Sequence, residues 1–162
     1  NKKDKRYPDG TGGYQEDEEQ QIRESDNLEG VRILVADDNE LNLEIMFEIF
    51  NSSGAAVDCA HNGKEALEAY LKSSQGYYQI ILMDVHMPEM NGLEATKEIR
   101  NSGRPDACTV PIIAMTADVF KEDIRRCQDA GMNAHMGKPV ELDKLYSTVR
   151  KLLNKEALGE KQ

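Results

Sequence analysis

The stretch IILMDVHMPEMNG, residues 80–92, decides the fold and locates the candidate site. Its first four residues, 80–83, form an apolar run typical of a strand that is buried on both faces of a sheet. Asp84 follows where this run ends, and Pro88 and Gly92 then turn the chain away. A carboxylate at the end of a core strand predicts that this edge of the sheet is open to solvent and carries chemistry.

The same strand-then-helix pattern repeats along the chain on both sides of this stretch. Short apolar runs predict strands at 31–36, 55–60, 78–83, 110–115 and 133–137. Helical spacing predicts helices at 40–54, 62–74, 92–103, 118–131 and 141–153. Five alternations indicate an α/β fold, a doubly wound five-stranded parallel sheet with helices on both faces. The expected topology is flavodoxin-like (βα)5 with strand order 2-1-3-4-5.

Apolar residues at helical spacing predict which helix faces pack together. The first predicted helix repeats Leu41, Ile45 and Ile49, with Met46 and Phe50 beside them. The second carries Ala66, Leu67, Tyr70 and Leu71 on one face. In the last predicted helix four residues are expected to face inward, namely Leu142, Leu145, Val149 and Leu152.

Composition and charge exclude several classes of protein. The 162-residue chain has a formal net charge of −10, which argues against nucleic-acid binding because phosphates would be repelled. No apolar run approaches the ~20 residues that span a bilayer, so we expect no membrane contact by this segment. Cys59, Cys108 and Cys127 are widely spaced, which argues against a zinc site and favours the reduced thiols of a cytoplasmic protein.

Composition also divides the chain into three parts. Residues 1–29 contain almost no apolar side chains, and we interpret them as a flexible polar linker or tail. Residues 30–154 hold the alternating pattern and form the predicted globular domain. Residues 155–162 are predicted to be a C-terminal tail.

Polar residues follow the predicted strands at the points where the strands end. The carboxyl ends of parallel strands share one edge of a sheet, and ligands bind there at the switch point in strand order. We therefore expect these residues to form one cluster. They are Asp37 and Asp38 after the first strand, Asp84 after the third, Thr116 after the fourth, and Lys138 with Pro139 after the fifth.

This set of side chains suits phosphoryl chemistry. Three close carboxylates repel one another unless a cation neutralises them, and oxygen ligands favour Mg²⁺ or Mn²⁺. A lysine and a hydroxyl beside the metal complete a cradle for a phosphoryl group, which makes Asp84 the candidate nucleophile. Taken singly, Asp37 and Thr116 could be helix caps and Lys138 a solvated loop residue.

Four motifs carry a resemblance to a known family: ILVADDNELN, ILMDVHMPEMNG, PIIAMTAD and KPVELDKL. They resemble the receiver domain of two-component response regulators, from residue 31 to about residue 153. The resemblance implies that Asp84 accepts a phosphoryl group from a phosphohistidine on a histidine kinase or a histidine phosphotransfer domain. It also implies that the receiver loses this group by self-dephosphorylation.

The resemblance implies a metal site and a phosphoryl site. Asp38 and Asp84 would bind Mg²⁺ directly, Asp37 would bind it more through water, and the backbone carbonyl of His86 would complete the coordination. In the second site the hydroxyl of Thr116 would bind the phosphoryl oxygens, Lys138 would pair with the phosphoryl group, and the Lys138–Pro139 bond would be cis.

The chain departs from the family pattern at the switch position three residues before the lysine. This position is usually Tyr or Phe and is His135 here, so the aromatic switch of the family is in question. Residues expected to tune the lifetime of the acyl phosphate are His86, Ala117 and Asp118. The resemblance also implies a docking surface for the histidine-bearing partner at the start of the first helix, formed by Asn39, Leu41 and Asn42.

The segments DDNELNLEI and MPEMNGLEATKEIR most closely resemble receivers of hybrid sensor histidine kinases. We therefore expect a C-terminal receiver with residues 1–29 as its linker, in the cytoplasm, within a kinase that can be membrane-anchored. Alternatives stay open: a stand-alone response regulator, a Mg²⁺-dependent aspartyl-phosphate phosphatase, or an unphosphorylated interaction module. Phosphatases of that class have a DxD motif after their first strand, whereas the two aspartates at this point in the chain are adjacent. A homodimer through the surface 119–152 is also left open.

Overall fold

The computed structural model describes residues 27–117 and 121–157. A short 3-10 helix, Pro105–Cys108, was not predicted and precedes the strand that begins at Ile112. Strands and helices alternate along the whole described chain: β1 Arg32–Ala36, α1 Glu40–Ser52, β2 Ala56–Ala60, α2 Gly63–Lys72, β3 Ile80–Asp84, α3 Gly92–Arg100, β4 Ile112–Thr116, α4 Lys121–Ala130, β5 Ala134–Gly137 and α5 Leu142–Ala157.

The five strands form one parallel sheet, and the predicted order 2-1-3-4-5 is confirmed. The central strands β3 and β4 are buried along their whole length, as expected for strands covered on both faces. Helices α1 and α5 cover one face of the sheet, and α2, α3 and α4 cover the other. The doubly wound architecture inferred from the alternation is therefore correct.

The buried face of α1 differs from the predicted one. Leu41 is 63% exposed and Ile45 is 48% exposed, whereas the buried side chains are Leu43, Met46 and Phe50. The buried residues lie at spacings of three and four, which fits the helical period as well as the predicted face does. The prediction was thus right about the helix and wrong about part of its core face.

Two further apolar side chains predicted to pack are also exposed. Leu71 lies near the end of α2 and is 45% exposed, and Leu142 is the first residue of α5 and is 49% exposed. The interior positions of the same faces are buried: Ala66 and Tyr70 in α2, and Leu145 and Val149 in α5. The helical period thus predicted burial correctly in the interior of each helix. It predicted burial wrongly near the helix ends, where the chain leaves the sheet.

Both ends of the packed structure differ from the predicted boundaries. We predicted a flexible polar tail up to residue 29, yet Leu28 is 1% exposed and its N–H donates to the Ser53 carbonyl at 2.8 Å. We predicted a C-terminal tail from residue 155, yet α5 continues to Ala157. The predicted helix start at Asp118 lies outside the described residues.

An ion pair within the connection before β4 and a hydrogen bond to the connection before β3 stabilise the edge of the sheet where the strands begin. Arg104 Nε pairs with Asp106 Oδ1 at 3.2 Å, and the Gly76 N–H donates to Asp106 Oδ2 at 2.8 Å. Burial acts to raise the pKa of Asp106, but these hydrogen bonds outweigh it and the pKa is lowered. The ionised carboxylate of Asp106 therefore stabilises this end of the fold.

Two matched substitutions in α1 test which face is buried. Leu43→Ala should lower the free energy of unfolding by about 2–4 kcal/mol, because it removes buried atoms and leaves a cavity. Leu41→Ala should change it by less than about 0.5 kcal/mol, because the side chain already faces water. Urea unfolding, monitored by circular dichroism, measures the free energy of unfolding of both variants. Equal effects of the two substitutions would contradict the assigned buried face of α1.

Candidate functional site

The site lies at the edge of the sheet where the strands end, and one ammonium group holds it together. Lys138 Nζ lies 3.0 Å from Asp37 Oδ2 and 3.0 Å from Asp84 Oδ2. Asp37 follows β1 and is 1% exposed, and Asp84 ends β3 and is 4% exposed. Because β1 and β3 are neighbours in the sheet, the two carboxylates arrive side by side.

The start of α1 fixes the orientation of Asp37. The Asn39 N–H donates to Asp37 Oδ1 at 2.9 Å, and the Asn42 side-chain amide donates to Oδ2 at 3.3 Å. Asn39 also caps α1 by accepting a hydrogen bond from the Asn42 N–H. The sequence predicted Asn39 and Asn42 as docking residues, and the structure places both beside Asp37.

The loop after β3 approaches Asp84 so closely that a glycine is required. A Cβ atom at Gly92 would overlap the carbonyl oxygen of Asp84, and the Gly92 N–H donates to the Val85 carbonyl at 2.9 Å. The next helix starts there with a capping box between Asn91 and Glu94. The break after Asp84 in the sequence is therefore the turn that returns the chain to the sheet edge.

Burial and neighbouring charges both shift the pKa values of Asp84 and Lys138. Burial raises the pKa of Asp84; the adjacent Lys138 lowers it in part, and Asp37 adds to the rise. For Lys138, burial acts to lower the pKa, but its hydrogen bonds to both carboxylates outweigh burial and raise it. The cation is thus held in its charged form between two acids.

Thr116 closes the site from the side of β4. It is the last residue of β4 and is 1% exposed, and its carbonyl accepts a hydrogen bond from the Lys138 N–H at 2.9 Å. Asp38 lies next to Asp37 and is exposed. The strand-end residues predicted to cluster therefore all lie at one edge, and the Lys138–Pro139 bond is cis as the resemblance implied.

Four residues were predicted to tune or switch the site, and the structure describes three of them, His86, Ala117 and His135. The side chain of His86 is exposed, and its N–H donates to Asp84 Oδ1 at 3.3 Å. His135 is exposed on β5, and Ala117 is exposed just after β4. Asp118 lies outside the described residues, so its tuning role stays a prediction.

The three aspartates offer a set of oxygens that fits a hard divalent cation. One carboxylate oxygen from each of Asp37, Asp38 and Asp84 can be chosen so that all three lie within 4.8 Å of one another. Two of these groups are buried and the third is exposed, which leaves a side open to water and a ligand. Carboxylate oxygens with open positions match the requirements of Mg²⁺.

A groove beside the site was not predicted from the sequence. It has a volume of about 360 Å³ and runs between α1 and the segment after β5. Asp37 and Lys138 lie at one end, and the apolar walls include Ile45, Ile49 and Val140. The available signal was the pair of isoleucines one helical turn apart, which we assigned to the core.

Comparison with known proteins points to one family. A family model described as the response regulator receiver domain matches residues 33–150. Hybrid signal transduction histidine kinase L of Dictyostelium discoideum is 35% identical over 134 residues, which cover 82% of this chain and 8% of that protein. The sensory/regulatory protein RpfC of Xanthomonas campestris is 33% identical over 131 residues, 81% of this chain and 18% of that protein. The chain thus spans less than a fifth of the length of these two relatives.

Solved structures with the same fold include a receiver domain from a kinase. The receiver domain of a sensor histidine kinase from Pseudomonas aeruginosa is 31% identical, with a TM-score of 0.69. The match covers 77% of this chain and 98% of that one, and that structure has a magnesium ion coordinated in its active site cleft. The Francisella response regulator 1452 receiver domain is 25% identical, with a TM-score of 0.70, over 78% of this chain and 99% of that one.

Replacement of Asp84 by asparagine should stabilise the fold at neutral pH. Burial raises the pKa of Asp84, so its ionised form costs stability, and Asp84→Asn should raise the free energy of unfolding at pH 7. The advantage should shrink as the pH falls, because a carboxyl whose folded pKa is raised costs nothing once it is protonated. Urea unfolding between about pH 7 and pH 3 measures this difference.

Asp106→Asn is the matched control, because its expected effect on stability at pH 7 has the opposite sign. The pKa of Asp106 is lowered in the folded protein, so its carboxylate stabilises the fold above its unfolded pKa and loses this effect as the pH falls through the folded value. Asp106→Asn should therefore destabilise at pH 7 and become neutral in acid. The same sign for both variants would contradict the assigned electrostatics.

Proposed function

This chain belongs to the response regulator receiver family, and from that premise we propose that Asp84 accepts a phosphoryl group from a phosphohistidine of a partner protein. The observation that carries the proposal is the Lys138 ammonium held 3.0 Å from both Asp37 and Asp84 at the open edge of the sheet. This arrangement presents a buried, rigidly mounted carboxylate to a ligand that enters from solvent.

In the proposed reaction a carboxylate oxygen of Asp84 attacks the phosphorus atom. A new oxygen–phosphorus bond forms, the phosphorus–nitrogen bond to the donor imidazole breaks, and the electron pair returns to that nitrogen. Lys138 has two roles in this reaction. Before transfer its charge lowers the pKa of Asp84 against the effect of burial, and after transfer it pairs with the phosphoryl oxygens.

Asp37, Asp38 and Asp84 are the residues we propose to hold a divalent cation, together with the backbone carbonyl of His86. When bound, Mg²⁺ would neutralise the charge that develops on the phosphoryl oxygens. The hydroxyl of Thr116 is proposed to donate to one of these oxygens from the β4 side. Its position at the end of a fully buried strand supports a fixed geometry for this contact.

The exposed apolar side chains of α1 support a docking surface next to the site. Leu41 and Ile45 lie on the side of α1 that faces away from the core, and Ile45 also lines the groove to which Lys138 contributes. We propose that a histidine-bearing partner, a kinase domain or a histidine phosphotransfer domain, covers this surface during transfer. Asn39 and Asn42 would lie at its edge, where they hold Asp37.

We propose that the chain is a receiver segment of a hybrid histidine kinase and acts in the cytoplasm. The two kinase relatives described above support this context, since the matched segment is a small part of each. In the described part of the chain no helix is long and apolar enough to cross a membrane. Cys59, Cys108 and Cys127 form no disulfide bond in the structure.

Substitution of the proposed acceptor should abolish phosphorylation. The parent chain, incubated with Mg²⁺ and acetyl phosphate, should gain one phosphoryl group by intact mass spectrometry, and Asp84→Asn should gain none. Asp58→Asn is the matched control, because Asp58 is an exposed aspartate on the edge strand β2. Full labelling of Asp84→Asn would overturn the assignment. Steady release of phosphate from an aryl phosphate would favour the phosphatase alternative.

Removal of a proposed metal ligand should weaken Mg²⁺ binding without unfolding the chain. Asp38→Asn should raise the dissociation constant for Mg²⁺ by about tenfold or more, since it removes one charged oxygen from an exposed position. Isothermal titration calorimetry measures the constant, with Asp58→Asn as the control that should bind as the parent does. Unchanged binding by Asp38→Asn would exclude this residue from the metal site.

A further inference from the structure

The chain that leads into β1 is fixed to the fold by residues 27–31, which we call the N-terminal anchor. Leu28 packs in the apolar cluster between the sheet, α1 and α5. Its N–H donates to the Ser53 carbonyl at 2.8 Å, and its carbonyl accepts from the Val31 N–H at 3.0 Å. Gly30, with φ of 85°, makes the turn that closes this second bond. The anchor is thus a specific structure and lies at the edge of the sheet opposite Asp84.

The second half of α5 holds this anchor. Arg150 Nη1 donates to the Asn27 carbonyl at 2.9 Å. Val149, the residue before Arg150, and Tyr146, one turn earlier, pack in the same apolar cluster as Leu28. The Tyr146 hydroxyl also donates to a carbonyl of α1 at 3.2 Å. Any displacement of α5 along its axis therefore acts on the anchor.

The other end of α5 begins at the candidate site. Lys138, whose ammonium group lies between the two buried carboxylates, precedes the first residue of α5 by four positions. The short connection includes Pro139 and Val140, which line the groove beside the site. A helix of 16 residues spans about 24 Å, so α5 reaches from the phosphoryl edge to the anchor.

We propose that α5 couples the phosphorylation state of Asp84 to the N-terminal anchor. A phosphoryl group on Asp84 competes with Asp37 for the Lys138 ammonium, and the resulting shift of Lys138 moves α5, which begins four residues later. This movement carries Arg150 away from Asn27 and loosens the anchor. The inference rests on the proposed function, because it needs the phosphoryl group at Asp84. Its consequence is that the polypeptide upstream of residue 27 senses the state of the site.

Two amide groups of the anchor report this coupling directly. The full chain, labelled with ¹⁵N, is saturated with Mg²⁺ and beryllofluoride as a phosphoryl mimic, and amide exchange is followed by NMR. The N–H groups of Leu28 and Val31 should exchange at least about threefold faster with the mimic than with Mg²⁺ alone. The Gln79 N–H, which donates to the Arg32 carbonyl at 2.9 Å near the same edge, should not change.

A pair of neighbouring substitutions tests whether α5 is the route. Arg150→Met keeps the apolar stem of the side chain but removes the donor to Asn27, so the mimic should still bind and no longer accelerate exchange at Leu28. Lys151→Met changes the next, exposed residue and should behave as the parent chain does. Retained acceleration in Arg150→Met would overturn the proposed route through α5.

The outcomes separate this inference from the proposed function. Binding of beryllofluoride by the parent, observed by ¹⁹F NMR, with unchanged or slower exchange at Leu28 would overturn the coupling and leave the acceptor role of Asp84 intact. Failure of the parent to bind beryllofluoride, or equal binding by Asp84→Asn, would overturn the proposed function and the coupling with it.

Discussion

The contact of one ammonium group with two buried carboxylates is the constraint on which this site depends. Lys138 bridges Asp37 and Asp84 with two distances of 3.0 Å, and neither acid is exposed by more than a few per cent. Two carboxylates so close would repel each other, and one of them would keep its proton without the cation. With Asp38 added, one cation faces three carboxylates, and the remaining negative charge favours a divalent metal ion.

The parallel sheet makes this contact possible because it brings distant parts of the chain to one edge. Strands β1, β3 and β4 lie side by side, so the residues that end them become neighbours in space. Close approach of the loops then limits the choice of residue. A side chain at Gly92 would overlap the backbone of Asp84, and one at Gly63 would overlap the carbonyl of Met90. The position of Asp84 is thus set by backbone packing on several sides and not by its own turn alone.

The sequence was sufficient for the strand order and the strand-end residues and insufficient for the rotation of α1. Leu41 and Ile45 fit a helical stripe as well as Leu43 and Met46 do, so periodicity cannot choose between them. The choice comes from tertiary contacts: Leu43 and Met46 pack in the apolar cluster against the sheet, and in this rotation the Asn42 side chain reaches Asp37.

The burial of Leu28 was not predicted, for a different reason. It is a single apolar residue within a polar segment, and local composition carries no sign of the pocket between α1 and α5 that it fills. The partners that bury it lie in other parts of the sequence, since its N–H bonds to Ser53 and the chain next to it bonds to Arg150. A composition-based boundary therefore fell just inside the packed structure. The same reasoning limits any boundary that is drawn from local polarity alone.

The exposed apolar residues of α1 also constrain how the proposed partner binds. Full burial of one such side chain gains about 1.5–3 kcal/mol, whereas association costs at least about 4 kcal/mol in lost freedom of motion. Leu41 and Ile45 together therefore give little net affinity, even with the groove that Val140 helps to line. A weak surface suits a partner that must leave after transfer. It also suits a receiver joined to its kinase, since a tether supplies an effective concentration that contacts alone do not.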